Sequence, residues 1–375
     1  MTAPGGFGVY AHWPFCARIC PYCDFNVYRD RGIDAARWSA ALTRELEHWA
    51  ARTKGRRLDS LYFGGGTPSH APLSVIEGVI AAADRLWGFG DDPEITLEAN
   101  PADAGRFDEF RAAGVNRLSL GVQAFDESAL KFLGRDHDGA AALRAIERAL
   151  AAFPRVSADF IYARPQQSAD QWAEELAAAL ATGLRHLSLY QLTIEKGTAF
   201  HVQVAKGRWA AADEDLAADL FDLTQDIAAS AGLPAYEISN HAAPGEESRH
   251  NLNYWRQGDY VGVGPGAHGR ISIGGRRFAT ETARAPADYL ARVAADGHAL
   301  ILDDALTPDE ARVEKFAMGL RTLGGVEADA ADLAALGAAI GALEAEGFLV
   351  RAGARIVATP NGRRLLNAVL ARLLA

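Results

Sequence analysis

Between residue 8 and about residue 240, short apolar β-rich runs alternate with amphipathic segments whose apolar residues recur every three or four positions. The runs are GVYAHW, LDSLYFGG, EITLEAN, NRLSLGVQ, VSADFIYA and HLSLYQLTI, and IDAARWSAALTRELEHWAAR is typical of the helical segments. Six strands, each followed by a helix, predict a parallel sheet, either doubly wound or curled into a partial barrel. AGVNRLSLG and TGLRHLSLY form a faint internal echo: loop, basic residue, strand. In such folds active sites gather at the C-terminal strand ends.

The texture changes from about 244 to 285, where frequent glycines predict loops and a hairpin. After about residue 300 the chain reads helix, short hairpin near RAGAR, then helix, a winged-helix-like pattern. Because this tail is not strongly basic, a structural cap explains it better than a nucleic-acid-binding module. The expected units are 1–240, 241–300 and 301–375.

The 375 residues carry a net charge of -10 and are 49% hydrophobic, as suits a globular protein with a large core. The acidic balance argues against nucleic acid or an anionic membrane as main partner. Apolar runs fall short of the ~20 residues of a spanning helix. MTAPGGFGVY lacks the basic and apolar regions of a signal peptide, so the cytoplasm is the expected compartment.

Cys16, Cys20 and Cys23 are the only cysteines, and all fall in AHWPFCARICPYCDF. An odd count without a secretion signal speaks against a disulfide scaffold. Zinc would need a second ligand pair or a single histidine such as His12. An iron-sulfur cubane fits better, because soft thiolates in a tight loop can hold three of its corners. Pro21 biases Cys20 away from helix, and Tyr22 and Phe25 are placed to shield such a cluster.

This C-x3-C-x2-C spacing directly after a first strand resembles the radical S-adenosylmethionine (SAM) superfamily. The resemblance implies a [4Fe-4S] cluster on Cys16, Cys20 and Cys23, with SAM on the fourth iron. LYFGGGTPS resembles the family's methionine-binding motif, which implies contacts from Gly65, Gly66 and Thr67. The glycines also offer N–H groups to an anion. Tyr10, Tyr22, Glu98, Gln123, Arg135 and Asp159 are further expected SAM contacts, with Arg135 suited to a carboxylate. The fold so implied is α/β, a partial (β/α)6 barrel with a C-terminal, mainly helical winged-helix-like domain. One departure stands out: where relatives commonly read G-L-P-G-Q, residues 163–167 read A-R-P-Q-Q, with Arg164 and Gln166 in place of small or apolar residues.

The resemblance narrows to the HemN/HemW branch. Its coproporphyrinogen III dehydrogenases carry a fourth cysteine, C-x3-C-x2-C-x-C, where this chain has Phe25, and a long segment before the first strand. HNLNYW at 250–255 instead resembles the H-N-x-x-Y-W motif of the haem-chaperone members. That implies haem as a further ligand, His250 as its axial ligand, and an acceptor protein of unknown identity through which any membrane contact would come. His241 and His268 are reserve ligands. Oxidative decarboxylation of coproporphyrinogen is the alternative function.

Overall fold

The computed structural model describes residues 6–375, so residues 1–5 of the segment considered above for a leader lie outside it. One eleven-stranded sheet organises most of the chain. Its centre is β1 (Phe7–Trp13), β2 (Leu58–Gly65), β3 (Phe89–Ala99), β4 (Arg117–Gln123), β5 (Arg155–Tyr162) and β6 (His186–Gln191), all parallel and in chain order. These are the six predicted strands. β3 starts five residues earlier than EITLEAN predicts, at Phe89.

Side chains along these strands sort by parity. Val9, Ala11, Leu61, Phe63, Ile95, Leu97, Leu118, Leu120, Ala158 and Phe160 are buried in the main apolar core. The helix Ala35–Arg52 adds Trp38, Leu42, Leu46 and Trp49 to that core, spaced three or four apart. Each fully buried leucine of this kind contributes about 2 kcal/mol. The alternate positions carry polar groups: Tyr10, His12, Ser60, Tyr62, Glu94, Glu98, Arg117, Ser119, Ser157, Asp159 and Ser188. The sheet therefore has one face that buries hydrocarbon and one that collects hydrogen-bonding groups.

The chain from residue 240 onward, including the stretch read as loops and a hairpin, extends this sheet at both edges. β7 (Asn240–Ala242) pairs antiparallel with β6, and β8 (Asp259–Val263) pairs parallel with β1. The expected hairpin is β9 (His268–Ile273) and β10 (Arg276–Thr282), joined at Gly274 and Gly275 and followed by β11 (Leu300–Ala305). A short helix, Arg249–Trp255, carries HNLNYW.

A second apolar cluster gathers Phe316, Leu320, Ile340, Leu343, Leu349, Ile356, Val369 and Leu370. The helix Ala330–Ala345, the hairpin Leu349–Ala352 with Arg355–Ala358, and the helix Leu366–Leu373 supply most of it, in the winged-helix-like order read from the sequence. Ile238 packs against this cluster, and the Arg363 guanidinium donates to the Glu237 carbonyl at 3.1 Å, which ties the tail to the edge of the sheet.

Candidate functional site

The C-terminal ends of the parallel strands open into a cavity of about 780 Å³. Cys16, Cys20 and Cys23 line it from the loop after β1. That loop is fixed locally. The Cys23 amide donates to the Cys20 carbonyl at 3.2 Å, as in a tight turn, and the Asp30 amide donates to the Cys16 carbonyl at 3.1 Å. The Phe200 amide donates to the Pro21 carbonyl at 2.9 Å, and Tyr22 packs into a satellite apolar cluster with Phe200 and Leu130. Burial raises the Cys16 thiol and pushes Cys23 up to about 11. Among the described residues no three His, Cys, Asp or Glu side chains converge on a single-ion site. Both nitrogens of His12 are engaged, Nδ1 with the Tyr10 hydroxyl and Nε2 with the Asn26 carbonyl, each at 3.0 Å. His12 is thus a bonded structural group beneath the loop.

The glycine run at the end of β2 faces the cysteine loop. Gly65 has φ +109°, and a Cβ there would sit 2.4 Å from the His12 ring. Only glycine allows that approach. The amides expected to meet an anion are already used, which corrects the reading of this run as an anion nest. Gly65 donates to Glu98 Oε2 at 3.1 Å, Gly66 to the Trp13 carbonyl at 2.7 Å, and Thr67 to the Phe15 carbonyl at 2.9 Å. The motif clamps the start of the cysteine loop to the sheet.

Glu98 and Asp159 stand on the polar face of β3 and β5. The Tyr62 hydroxyl donates to Glu98 Oε1 at 2.9 Å, and Ser119 Oγ lies 3.4 Å from Asp159 Oδ1. Burial, helped for Glu98 by the charge of Asp159, pushes the two carboxyls up to about 7 and about 6. A cationic or hydroxyl-bearing ligand would relieve that penalty. Gln123 ends β4 with φ +72°, a left-handed conformation at a register shift, and it too lines the cavity.

Arg135 reaches the site from the turn after the helix Glu127–Phe132. Gly134, at φ +70°, packs where a Cβ would lie 2.7 Å from Pro21. Arg135 Nη1 approaches Cys20 Sγ at 3.4 Å, and Nη2 donates to the Gly121 carbonyl at 2.8 Å. Its Nε is buried without a hydrogen-bond partner among the described residues. An unpaired guanidinium nitrogen on a side chain at the cavity wall suits a carboxylate.

Eight of the nine expected SAM contacts therefore line one cavity with the three cysteines: Tyr22, Gly65, Gly66, Thr67, Glu98, Gln123, Arg135 and Asp159. Tyr10 does not. It lines a neighbouring groove, bonded to His12 and stacked on Tyr62 at 6.2 Å between ring centroids. His250 lines neither space. It is 1% exposed, its Nδ1 lies 2.7 Å from Ser60 Oγ, and its Nε2 bonds the Tyr254 hydroxyl. Burial pushes its imidazole down to about 3. With both nitrogens held, His250 is a packing residue in this structure, contrary to its expected place on a haem iron. His241 is buried as well, with Nε2 3.1 Å from the Gln225 side chain. His268 is exposed on β9.

The helix bearing HNLNYW is anchored by Glu94. That carboxylate accepts from the amides of Arg249 at 3.2 Å and His250 at 3.0 Å, and pairs with Arg155 at 2.7 Å. Burial pushes Glu94 upward, but the Arg117 and Arg155 guanidinium groups outweigh it and hold the carboxyl below its usual range. The departure at 163–167 contributes no residue to the cavity lining. Ala163 and Gln166 take φ +55° and +64°, and Arg164 turns inward to Glu175 at 2.6 Å. Sequence reasoning overlooked Tyr62, Ser119 and Ser188, although the polar positions two apart along their strands mark the same face. It also overlooked Arg321 and Asn367, which the C-terminal region brings to the cavity.

Comparison with known proteins shows the family. The radical SAM superfamily profile matches residues 10–179, and the HemN C-terminal domain profile matches residues 306–365. The heme chaperone HemW of Mycobacterium tuberculosis is 36% identical over 379 residues, covering 98% of this chain and 95% of that protein. The mitochondrial radical S-adenosyl methionine domain-containing protein 1 of Bos taurus is 40% identical over 329 residues, 85% of this chain and 74% of that one. The solved structure of coproporphyrinogen III oxidase (HemN) from Escherichia coli superposes with a TM-score of 0.82 at 23% identity, over 98% of this chain and 90% of that one, which shows a shared fold. Family membership implies SAM and a [4Fe-4S] cluster, and three thiols, an unpaired Arg135 nitrogen and two buried carboxyls around one cavity fit both. The chain belongs to the radical SAM superfamily, in its HemN/HemW branch.

Proposed function

We propose that this chain is a haem chaperone of the HemW type, a cytoplasmic protein that binds haem and passes it to an acceptor protein. The observation that carries the reading is the 36% identity to a heme chaperone along nearly the whole of both chains. Phe25 supports it, because it stands where the branch's dehydrogenases place a fourth cysteine. Cys16, Cys20 and Cys23 would hold the [4Fe-4S] cluster. Glu98, Gln123, Arg135 and Asp159 would bind SAM, the Arg135 guanidinium donating to SAM's carboxylate and the Glu98 and Asp159 carboxylates accepting from its hydroxyl or ammonium groups. When bound and reduced, the cluster can supply an electron to the sulfonium of SAM.

The chain's own residues do the rest of the work in this reading. The Gly66 and Thr67 amides hold the cysteine loop on the sheet, Tyr22 anchors it to the satellite apolar cluster, and Tyr62 orients Glu98. Among the described residues no helix is long and apolar enough to cross a membrane, so membrane contact would come through the acceptor.

The test is anaerobic reconstitution with iron and sulfide, loading with hemin, and mixing with an apo-haemoprotein. Transfer of haem to that acceptor is the expected result. Conversion of coproporphyrinogen III to protoporphyrinogen, without haem transfer, would overturn the reading in favour of an oxidative decarboxylase.

A further inference from the structure

A groove of about 330 Å³ opens beside the large cavity and shares Phe25, Gly65 and Glu98 with it. Tyr254 and Tyr260 line it, their ring centroids 4.2 Å apart, together with His268 and Arg284. Phe25 is 62% exposed, a large apolar ring held open to solvent between the two spaces. Its neighbour Asn26 fixes that position, because its side-chain amide donates to the carbonyls of Pro265 and Arg284, each at 2.9 Å.

Three imidazoles line the two spaces: His12, His70 and His268. His12 is bonded through both nitrogens, and His70 pairs with Asp30 at 3.2 Å. The His268 side chain is 52% exposed and makes no hydrogen bond among the described residues; the Glu281 carboxylate lies 3.9 Å from Nε2. Glu281 also pairs with Arg284 at 3.2 Å, and the Arg284 side chain is 68% exposed.

We propose that this groove is the haem site, with His268 as the iron ligand, the rings of Phe25 and Tyr254 against the porphyrin, and Arg284 at a propionate. The proposal rests on the haem-chaperone reading above and assigns its site. Each part matches the cargo chemically. A neutral imidazole is a good axial ligand, and a carboxylate near one ring nitrogen steadies it while the other meets iron. Partial burial lowers the His268 pKa, which favours the neutral form. Aromatic faces suit a flat macrocycle, and a guanidinium suits its carboxylates. An open groove leaves much of the macrocycle accessible, as hand-over requires. The shared wall at Phe25 and Glu98 sets the cargo beside the cluster and SAM, so occupancy of one space bears on the other.

The test is a hemin titration of the full-length, cluster-reconstituted protein and its His268→Ala and Arg284→Ala variants, read by absorption and resonance Raman. The wild type should show an imidazole-ligated iron. His268→Ala should lose that signature and bind about tenfold more weakly or worse, and free imidazole should restore the spectrum. Arg284→Ala should weaken binding while keeping the spectrum. Wild-type binding with an unchanged spectrum and affinity in His268→Ala would overturn this site and leave the chaperone reading standing. A wild type that binds no hemin would overturn both.

Discussion

Arg135 sets a guanidinium nitrogen 3.4 Å from the Cys20 sulfur, joining a turn 115 residues downstream to the cysteine loop. The same side chain keeps one buried nitrogen without a hydrogen-bond partner among the described residues. In the proposed function Arg135 would serve a cluster at Cys20 and the carboxylate of SAM together. Arg135→Ala should lower SAM affinity by about 2 kcal/mol, a typical loss for a hydrogen bond to a charged group. The three-thiol loop should still take up iron and sulfide. Calorimetric SAM titration of reconstituted protein measures the first effect, and iron content the second.

Glu98 gives a pH-dependent prediction. Its carboxyl is raised from 4.5 to about 7 in the folded chain, chiefly by burial. A raised acid favours the folded state at low pH, and that contribution is lost as pH climbs from about 4.5 through about 7. In SAM-free protein, Glu98→Gln should match wild type near pH 4 and be more stable by up to about 3 kcal/mol near pH 8. Denaturant melts at the two pH values check this. SAM should bind Glu98→Gln less tightly if the carboxylate meets its hydroxyl or ammonium groups.

His250 behaves in the opposite sense. Its folded pKa lies near 3, below the ordinary 6.5, so the unfolded chain takes up the proton first. The neutral ring stabilises the fold at pH 7, and the benefit fades as pH falls from about 6.5 towards 3. His250→Ala should cost about 2–4 kcal/mol, because it removes a stacked ring and strands the Ser60 and Tyr254 hydroxyls. The variant should also lose less stability than wild type on acidification. Equal melting temperatures for the two proteins at neutral pH would contradict this packing role.

The 163–167 turn holds two non-glycine residues at positive φ. Such positions cost on the order of 1 kcal/mol or more for a side chain with a Cβ. Gln166→Gly should therefore be neutral or stabilising by up to about 1 kcal/mol once the looser unfolded chain is allowed for. Gln166→Val should destabilise, because a branched Cβ suits that region least. Thermal melts of the three proteins suffice.

What the sequence revealed followed from how local each signal was. The six barrel strands are β-rich runs bounded by glycine, asparagine or charged turns, so their positions were readable in place. The three cysteines lie within eight residues, and their spacing carries its own chemistry. β8 was hidden, because DYVGV sits among glycines and becomes a strand only by pairing with β1, some 250 residues earlier. His250 was misread for the same reason. A histidine in a distinctive motif suggests a ligand, yet Ser60 and Glu94, remote in sequence, settle its surroundings. The Gly65 and Gly66 amides, read from the glycine run as open to an anion, are taken instead by Glu98 and by the Trp13 carbonyl at the start of the cysteine loop.

In the proposed function this radical SAM chain carries haem. Hemin titration of the anaerobically reconstituted full-length protein tests it most directly. The expected result is saturable binding of one haem per chain, with the cluster intact and no protoporphyrinogen formed when coproporphyrinogen III and SAM are supplied. Absence of saturable binding, together with decarboxylation of coproporphyrinogen III, would contradict it.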